Sequence, residues 1–218
     1  MKWILLFWGG IGLVPGAAQR TIRVSAKSEF VRVKVPVAES PGENLFARPT
    51  WAVGRGREGF FVKKENSYEV QPSRPNAWSL IPVEYDLNGG DFDLRLTVHP
   101  VNGRVPFAGL LLSADTSHVP SHSRYIFLTI NESGQFVFQH VDAGASEFLV
   151  KESSPHIRPD GDNELRLERR DFSIRAYVNG KVVANETFRR LGGRDVFVGV
   201  TTDEKARFSG LYVRGNRR

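Results

Sequence analysis

Apolar and polar residues alternate along most of this chain with a period of two. In "NELRLERR", Leu165 and Leu167 fall on one side and Glu164, Arg166, Glu168 and Arg170 on the other. "FSIRAYV" repeats the arrangement, with Phe172, Ile174, Ala176 and Val178 set against Ser173, Arg175 and Tyr177. Successive side chains of a strand leave on opposite faces, so each segment is predicted to have one core face and one solvated face. "RYIFLTI" and "GQFVFQHV" are apolar on nearly both faces, as central strands would be. No helical period is sustained anywhere.

The strands this pattern predicts are "TIRV", "EFVRVKVPV", "GFFVKK", "DFDLRLTVHP", "AGLLLSA", "RYIFLTI", "GQFVFQHV", "NELRLERR", "FSIRAYV", "KVVANETF", "DVFVGVTT" and "RFSGLYVRG". Gly, Pro, Asn and Asp clusters separate most of them, and many short strands at close spacing make an all-β sandwich or barrel. Between two of them, Asn179-Gly180 carries the signature of a type I′ hairpin turn, which needs positive φ at both central residues. A two-residue loop sets Lys181 opposite Val178 and Asn185 opposite Ile174. Asn185 then faces an apolar position, so a bulge or a twisted edge is expected in this hairpin.

The length, 218 residues, is enough for one sizeable core and short for two. The opening "MKWILLFWGGIGLVPGAAQR" changes the picture. Lys2, an apolar run from Trp3 to Val14, Pro15 and the small residues Gly16 to Ala18 read as a secretory leader cleaved after Ala18. The run is too short for a bilayer, which takes about 20 apolar residues, and no later segment could span one. The domain reading is a leader at 1–18, an N-terminal strand extension at 19–44 that either joins the sandwich or stands beside it, and the sandwich at 45–218. With no cysteine, neither a disulfide scaffold nor a thiol-linked lipid anchor is available, and packing alone must hold the core. The net charge of +6 becomes +5 without Lys2. Export argues against nucleic acid as a partner, while a basic surface suits acidic glycans or envelope polymers in a periplasmic or secreted setting.

From Trp51 onward the order of "DFDLRLTV", "AGLLLSA", "SRYIFLTINESGQFVFQHV", "PDGDNELRLERRDFSIRAYVNGKVV", "DVFVGVTTDE" and "RFSGLYVRG" resembles the concanavalin A-like and laminin G-like jelly rolls of exported bacterial proteins, including domains grouped with 3-keto-disaccharide hydrolases. Gly134, Asn163 and Asn179-Gly180 occupy the turn positions of that pattern. The resemblance covers about three quarters of the chain, is structural rather than catalytic, and implies an antiparallel jelly-roll β-sandwich. It also implies a carbohydrate-binding or glycan-processing role, with a hydrolase or lyase on modified disaccharides and a laminin G-like protein-binding envelope module as alternatives.

Jelly-roll glucanases carry Glu-x-Asp-x-Glu on one strand, because retaining hydrolysis needs two carboxyls about 5 Å apart. The corresponding strand here offers Tyr125, Phe127 and Thr129 and no carboxylate before Glu132, so that chemistry is not expected. Asp91 and Asp93 share a strand face with Arg95, which would keep both ionised. Asp160, Asp162 and Glu164 alternate in "PDGDNE" but lack the rest of a calcium loop, and a strand-opening turn is the better reading. His118 and His122 stand four apart, yet Pro120 forbids the helix that would bring them onto one metal. Neither metal nor cofactor is expected. The loop from Asp115 to Arg124 is still a rim connection where ligand contacts gather, and it contributes His118, His122 and Arg124. His140 and Asp142 end a strand that carries Phe136 and Phe138, and with Tyr125 they form an aromatic-plus-polar set suited to stacking on a sugar ring. No Ser-His-Asp order, phosphate loop or cysteine nucleophile stands out, which leaves open whether the chain is an enzyme.

Overall fold

The computed structural model describes residues 43–47, 51, 53–56, 59–74, 79–85, 90–113, 124–142, 145–188 and 196–215. The leader at 1–18, the strands expected at "TIRV" and "EFVRVKVPV", and His118 and His122 lie outside the described residues.

Among the described residues fifteen strands run in chain order: β1 (Glu43–Asn44), β2 (Gly54–Arg55), β3 (Gly59–Lys64), β4 (Ser67–Pro72), β5 (Ser79–Tyr85), β6 (Phe92–His99), β7 (Ala108–Ser113), β8 (Arg124–Ile130), β9 (Gln135–Asp142), β10 (Ala145–Ser153), β11 (Asn163–Arg170), β12 (Ser173–Val178), β13 (Lys181–Thr187), β14 (Val196–Thr202) and β15 (Ala206–Gly215). The helical residues among those described are a 3-10 turn at Leu45–Ala47. A nine-stranded sheet runs β13-β12-β11-β6-β15-β4-β3-β2 with β1 added beside β15, and a six-stranded sheet runs β10-β9-β8-β7-β14-β5. Neighbours pair antiparallel throughout. The fold is thus the antiparallel jelly-roll sandwich that the alternation and the resemblance imply.

Alternation decides what each sheet turns inward. Phe92, Leu94, Leu96 and Val98 of β6 are buried, and so are Phe208, Leu211 and Val213 of β15. They join one core with Ile126, Leu128 and Ile130 of β8 and Phe136 and Phe138 of β9 in the other sheet. Two residues of the N-terminal extension, Glu43 and Asn44, pair with Val213 and Tyr212 of β15. Immediately after them the Trp51 indole donates to the Leu45 carbonyl at 2.7 Å, and its ring centroid lies 4.8 Å from both Phe46 and Tyr68.

The hairpin turn has φ of 49° at Asn179 and 77° at Gly180, and Val178 pairs with Lys181. The register then slips between Ala176 and Tyr177, so that Asn185 faces Arg175 and not Ile174. The bulge expected from the sequence is there, and β13 is the edge of its sheet. Two expectations about faces need correction. Phe172 sits in the turn before β12 and is 57% exposed, because the strand begins one residue later at Ser173. Glu168 and Tyr177 are buried rather than solvated, because each covers the other: the Tyr177 hydroxyl donates to Glu168 Oε2 at 2.7 Å.

Candidate functional site

Cross-strand register divides the residues proposed for the site. Ile126, Leu128 and Ile130 of β8 pair with His140, Phe138 and Phe136 of β9, and all three β8 residues are fully buried. Partners across a ladder share a face, so Phe136, Phe138 and His140 point inward. The His140 ring meets Phe188, just beyond β13, edge-on at 5.4 Å, at the margin between the sheets. Tyr125 pairs instead with Val141 and faces outward. The expected grouping of Tyr125 with Phe136, Phe138 and His140 is therefore replaced by two half-sets on opposite sides of one sheet. The physical reason is the four-residue connection Asn131–Gly134, in which Asn131 N–H donates to the Gln135 carbonyl and Gly134 N–H to that of Asn131. A register one residue away would have put Tyr125 beside His140, since each single step turns every side chain over. Arg124 and Asp142 are Cα partners at the end of the same ladder.

The outward half-set gains members that the sequence reading left out. Phe127 stacks on Tyr125 with centroids 5.9 Å apart and planes 21° from parallel. Gln139 is the register partner of Phe127. One row further along, Thr129 pairs with Gly109, and Gly109 with Thr201 of β14. With glycine in the middle, the two threonines stand two strand spacings apart, about 10 Å, and both are buried. Thr201 is fully buried, and its hydroxyl has no hydrogen-bond partner among the described residues. Tyr125, Phe127 and Gln139 are half-buried around this floor.

On the far side of the molecule, the outer face of the nine-stranded sheet is built from charge. Asp93 accepts from Arg166 at 2.7 and 2.9 Å and from Arg95 at 3.3 and 3.1 Å. Burial works against its charge, but the two guanidinium groups outweigh it and hold the carboxyl below the usual aspartate range. The Arg95 expectation thus holds for Asp93, while Asp91 accepts the Asp171 N–H at 2.7 Å and closes the β11–β12 turn. Glu168 is likewise held low, first by the Tyr177 hydroxyl and then, against burial, by Arg170 and Arg166. The Arg166 guanidinium lies 4.7 Å from the Tyr177 ring centroid. Each charge here has its counter-charge, the pattern of a surface holding three strands together.

The "PDGDNE" turn is organised by Asn163, which is fully buried and bonded to Arg158, Gly161 and Asn179. Among the described residues no three His, Asp or Glu side chains gather in a way that could hold a metal. On the outer face of β8 stand Tyr125, Phe127 and Thr129, without a carboxylate.

No family model matches the sequence, and no curated protein matches it. Solved structures do match its fold. A Bacillus licheniformis β-glucanase superposes with a TM-score of 0.50 at 9% identity, covering 83% of this chain and 100% of that one. The exoplasmic/lumenal domain of VIP36, in its Ca2+/Man3GlcNAc-bound form, gives a TM-score of 0.50 at 13% identity over 72% of this chain and 82% of its own. A Saccharomyces cerevisiae protein of unknown function gives 0.50 at 14% identity over 72% and 92%. The likeness is one of fold: the chain is a jelly-roll β-sandwich.

Proposed function

We propose that this protein is an exported β-sandwich that binds carbohydrate on the outer face of its six-stranded sheet. The observation that carries the reading is the stacked, half-buried Tyr125–Phe127 pair on the outer face of β8. A sugar ring has an apolar C–H side and a hydroxyl rim. Stacked aromatics receive the first, and Gln139, the register partner of Phe127, stands where it can meet the second.

The test is a glycan-binding screen on the secreted protein, followed by variants. Tyr125→Ala is expected to weaken binding of the selected oligosaccharide about tenfold, the sum of lost area and lost stacking. Phe127→Ala should weaken it likewise, and His140→Ala, on the inner side, should leave it unchanged. Unaltered affinity in folded Tyr125→Ala and Phe127→Ala, or no glycan bound at all, would remove this face and favour a protein partner. The export half of the proposal rests on Lys2, the apolar run and the small residues before Gln19. Intact mass of the secreted product is expected to begin at Gln19, and recovery of a full-length, membrane-retained chain would contradict it.

A further inference from the structure

On the outer face of the nine-stranded sheet, three residues remote in sequence meet. His99 ends β6, Ser209 lies on β15 to one side of it, and Asp162 immediately precedes β11 on the other. His99 Nδ1 is 2.6 Å from Asp162 Oδ1, and Nε2 is 2.6 Å from Ser209 Oγ. The register explains the meeting. Asn163 pairs with Val98, which sets Asp162 across from His99, and Ser209 pairs with Thr97, one diagonal step away. An ionised carboxylate only accepts, so Nδ1 carries the proton and Nε2 is left to accept from the serine hydroxyl.

The backbone beyond Ser209 is irregular in a relevant way. The β15–β6 register breaks between Ser209 and Tyr212, pairing with β4 ends at Ser209, and pairing with β1 starts at Tyr212. Gly210, with φ of 59°, and Leu211 therefore have no register partner on any of these neighbours among the described residues. A peptide N–H turned out of the ladder at such an irregularity beside a serine would be the donor type that receives an oxyanion.

We propose that Ser209 is a base-activated nucleophile, with His99 as its general base and Asp162 holding the imidazole, and that the site cleaves carboxylic esters with short acyl groups. Ser209 Oγ bonds to the carbonyl carbon as its proton passes to His99 Nε2. The acyl carbon–oxygen bond then breaks, and the departing alkoxide takes that proton to leave as the alcohol. Water attacks the acyl-serine, gives a proton to Nε2, and the carboxylic acid leaves as Ser209 regains its hydrogen. Short acyl groups fit because the space is bounded: Ser67, the register partner of Ser209 on β4, is small, while the Tyr212 ring stands over Gly210, its Cε2 3.0 Å from where a Cβ there would lie. This site lies on the opposite side of the sandwich from the proposed glycan face and is independent of it.

The test is labelling of the full chain by a fluorophosphonate, read by intact mass and by the tryptic peptide Phe208–Arg214. One adduct on Ser209 is expected, together with hydrolysis of p-nitrophenyl acetate that Ser209→Ala abolishes. His99→Ala should slow labelling about a hundredfold or more, the range for loss of a general base, and Asp162→Asn about tenfold or more. Absence of an adduct on Ser209 in the folded protein would overturn the proposal. So would an unchanged labelling rate in a folded His99→Ala chain, or ester hydrolysis undiminished in Ser209→Ala.

Discussion

Replacing Asn163 by Ala is expected to lower the stability of the sandwich by about 3 kcal/mol, roughly a 6–12 °C drop in melting temperature for a domain of this size. The side chain is fully buried and makes four hydrogen bonds. Its Oδ1 accepts from Arg158 N–H at 2.8 Å and from Asn179 Nδ2 at 2.9 Å, and its Nδ2 donates to the carbonyls of Arg158 and Gly161, both at 2.8 Å. Alanine would strand these groups at once, with water reaching only those nearest the surface. Asn179 is tied into the same knot: its Oδ1 accepts from Glu164 N–H at 2.9 Å and its Nδ2 donates to the His156 carbonyl at 2.6 Å. The opening of β11 and the type I′ turn are therefore one structure. Asn163→Asp keeps the acceptor, loses both donated bonds and buries a charge, so it should cost at least as much. Asn185→Ala, which removes an exposed bond from the Ser173 hydroxyl, should cost less than about 1 kcal/mol. Thermal melts followed by circular dichroism distinguish these cases, and an Asn163→Ala chain melting within a degree or two of the parent would refute the account. Asp162 is the next residue back, so the same variant should also slow fluorophosphonate labelling of Ser209.

Strand existence was legible where apolar positions were dense: β6 and β11 stand where the alternation of "DFDLRLTVHP" and "NELRLERR" places them, and β8 and β9 where the apolar runs "RYIFLTI" and "GQFVFQHV" do. Five strands escaped: β1 and β2 are two residues each, too short to show a period, and three longer ones were missed for separate reasons. β4 shows only Tyr68 and Val70 as apolar positions between the Glu65-Asn66 turn and Pro72. β5 contains Pro82, which argues against a strand in the middle of a sheet, but β5 is the edge, where a missing N–H is tolerated. β10 carries a bulge between Phe148 and Val150 that breaks its alternation. The site was less legible, because alternation assigns faces within a strand and says nothing of register between strands. That is how Tyr125 came to be grouped with His140. Ser209, His99 and Asp162 lie 110 and 63 positions apart, so no local motif could have announced them.

Gly109→Ala is expected to be at least as costly as the loss of Asn163, for a reason that is purely steric. A Cβ on Gly109 would lie 2.7 Å from Thr129 Cα and closer still to the Leu128 carbonyl oxygen. Both are backbone atoms of β8, so no rotamer change relieves the clash, and β7 must move off its partner. β7 and β8 sit at the centre of the six-stranded sheet, where Leu110 and Leu112 pack into the core with Ile126 and Leu128. Overpacking against movable side chains costs about 1–3 kcal/mol, and against fixed backbone the penalty should reach about 3 kcal/mol or more. Gly103→Ala offers a comparison. Its φ is +76°, but a Cβ there meets nothing within 4 Å, so only the left-handed conformation is penalised, by about 1 kcal/mol. Urea unfolding of the two variants should order them with Gly109→Ala far the weaker, and equal midpoints would show that the β7–β8 approach is not as close as described. The same shift would displace β8, which carries Tyr125 and Phe127, so any Gly109→Ala protein that still folds should lose glycan affinity while retaining labelling at Ser209 on the other sheet.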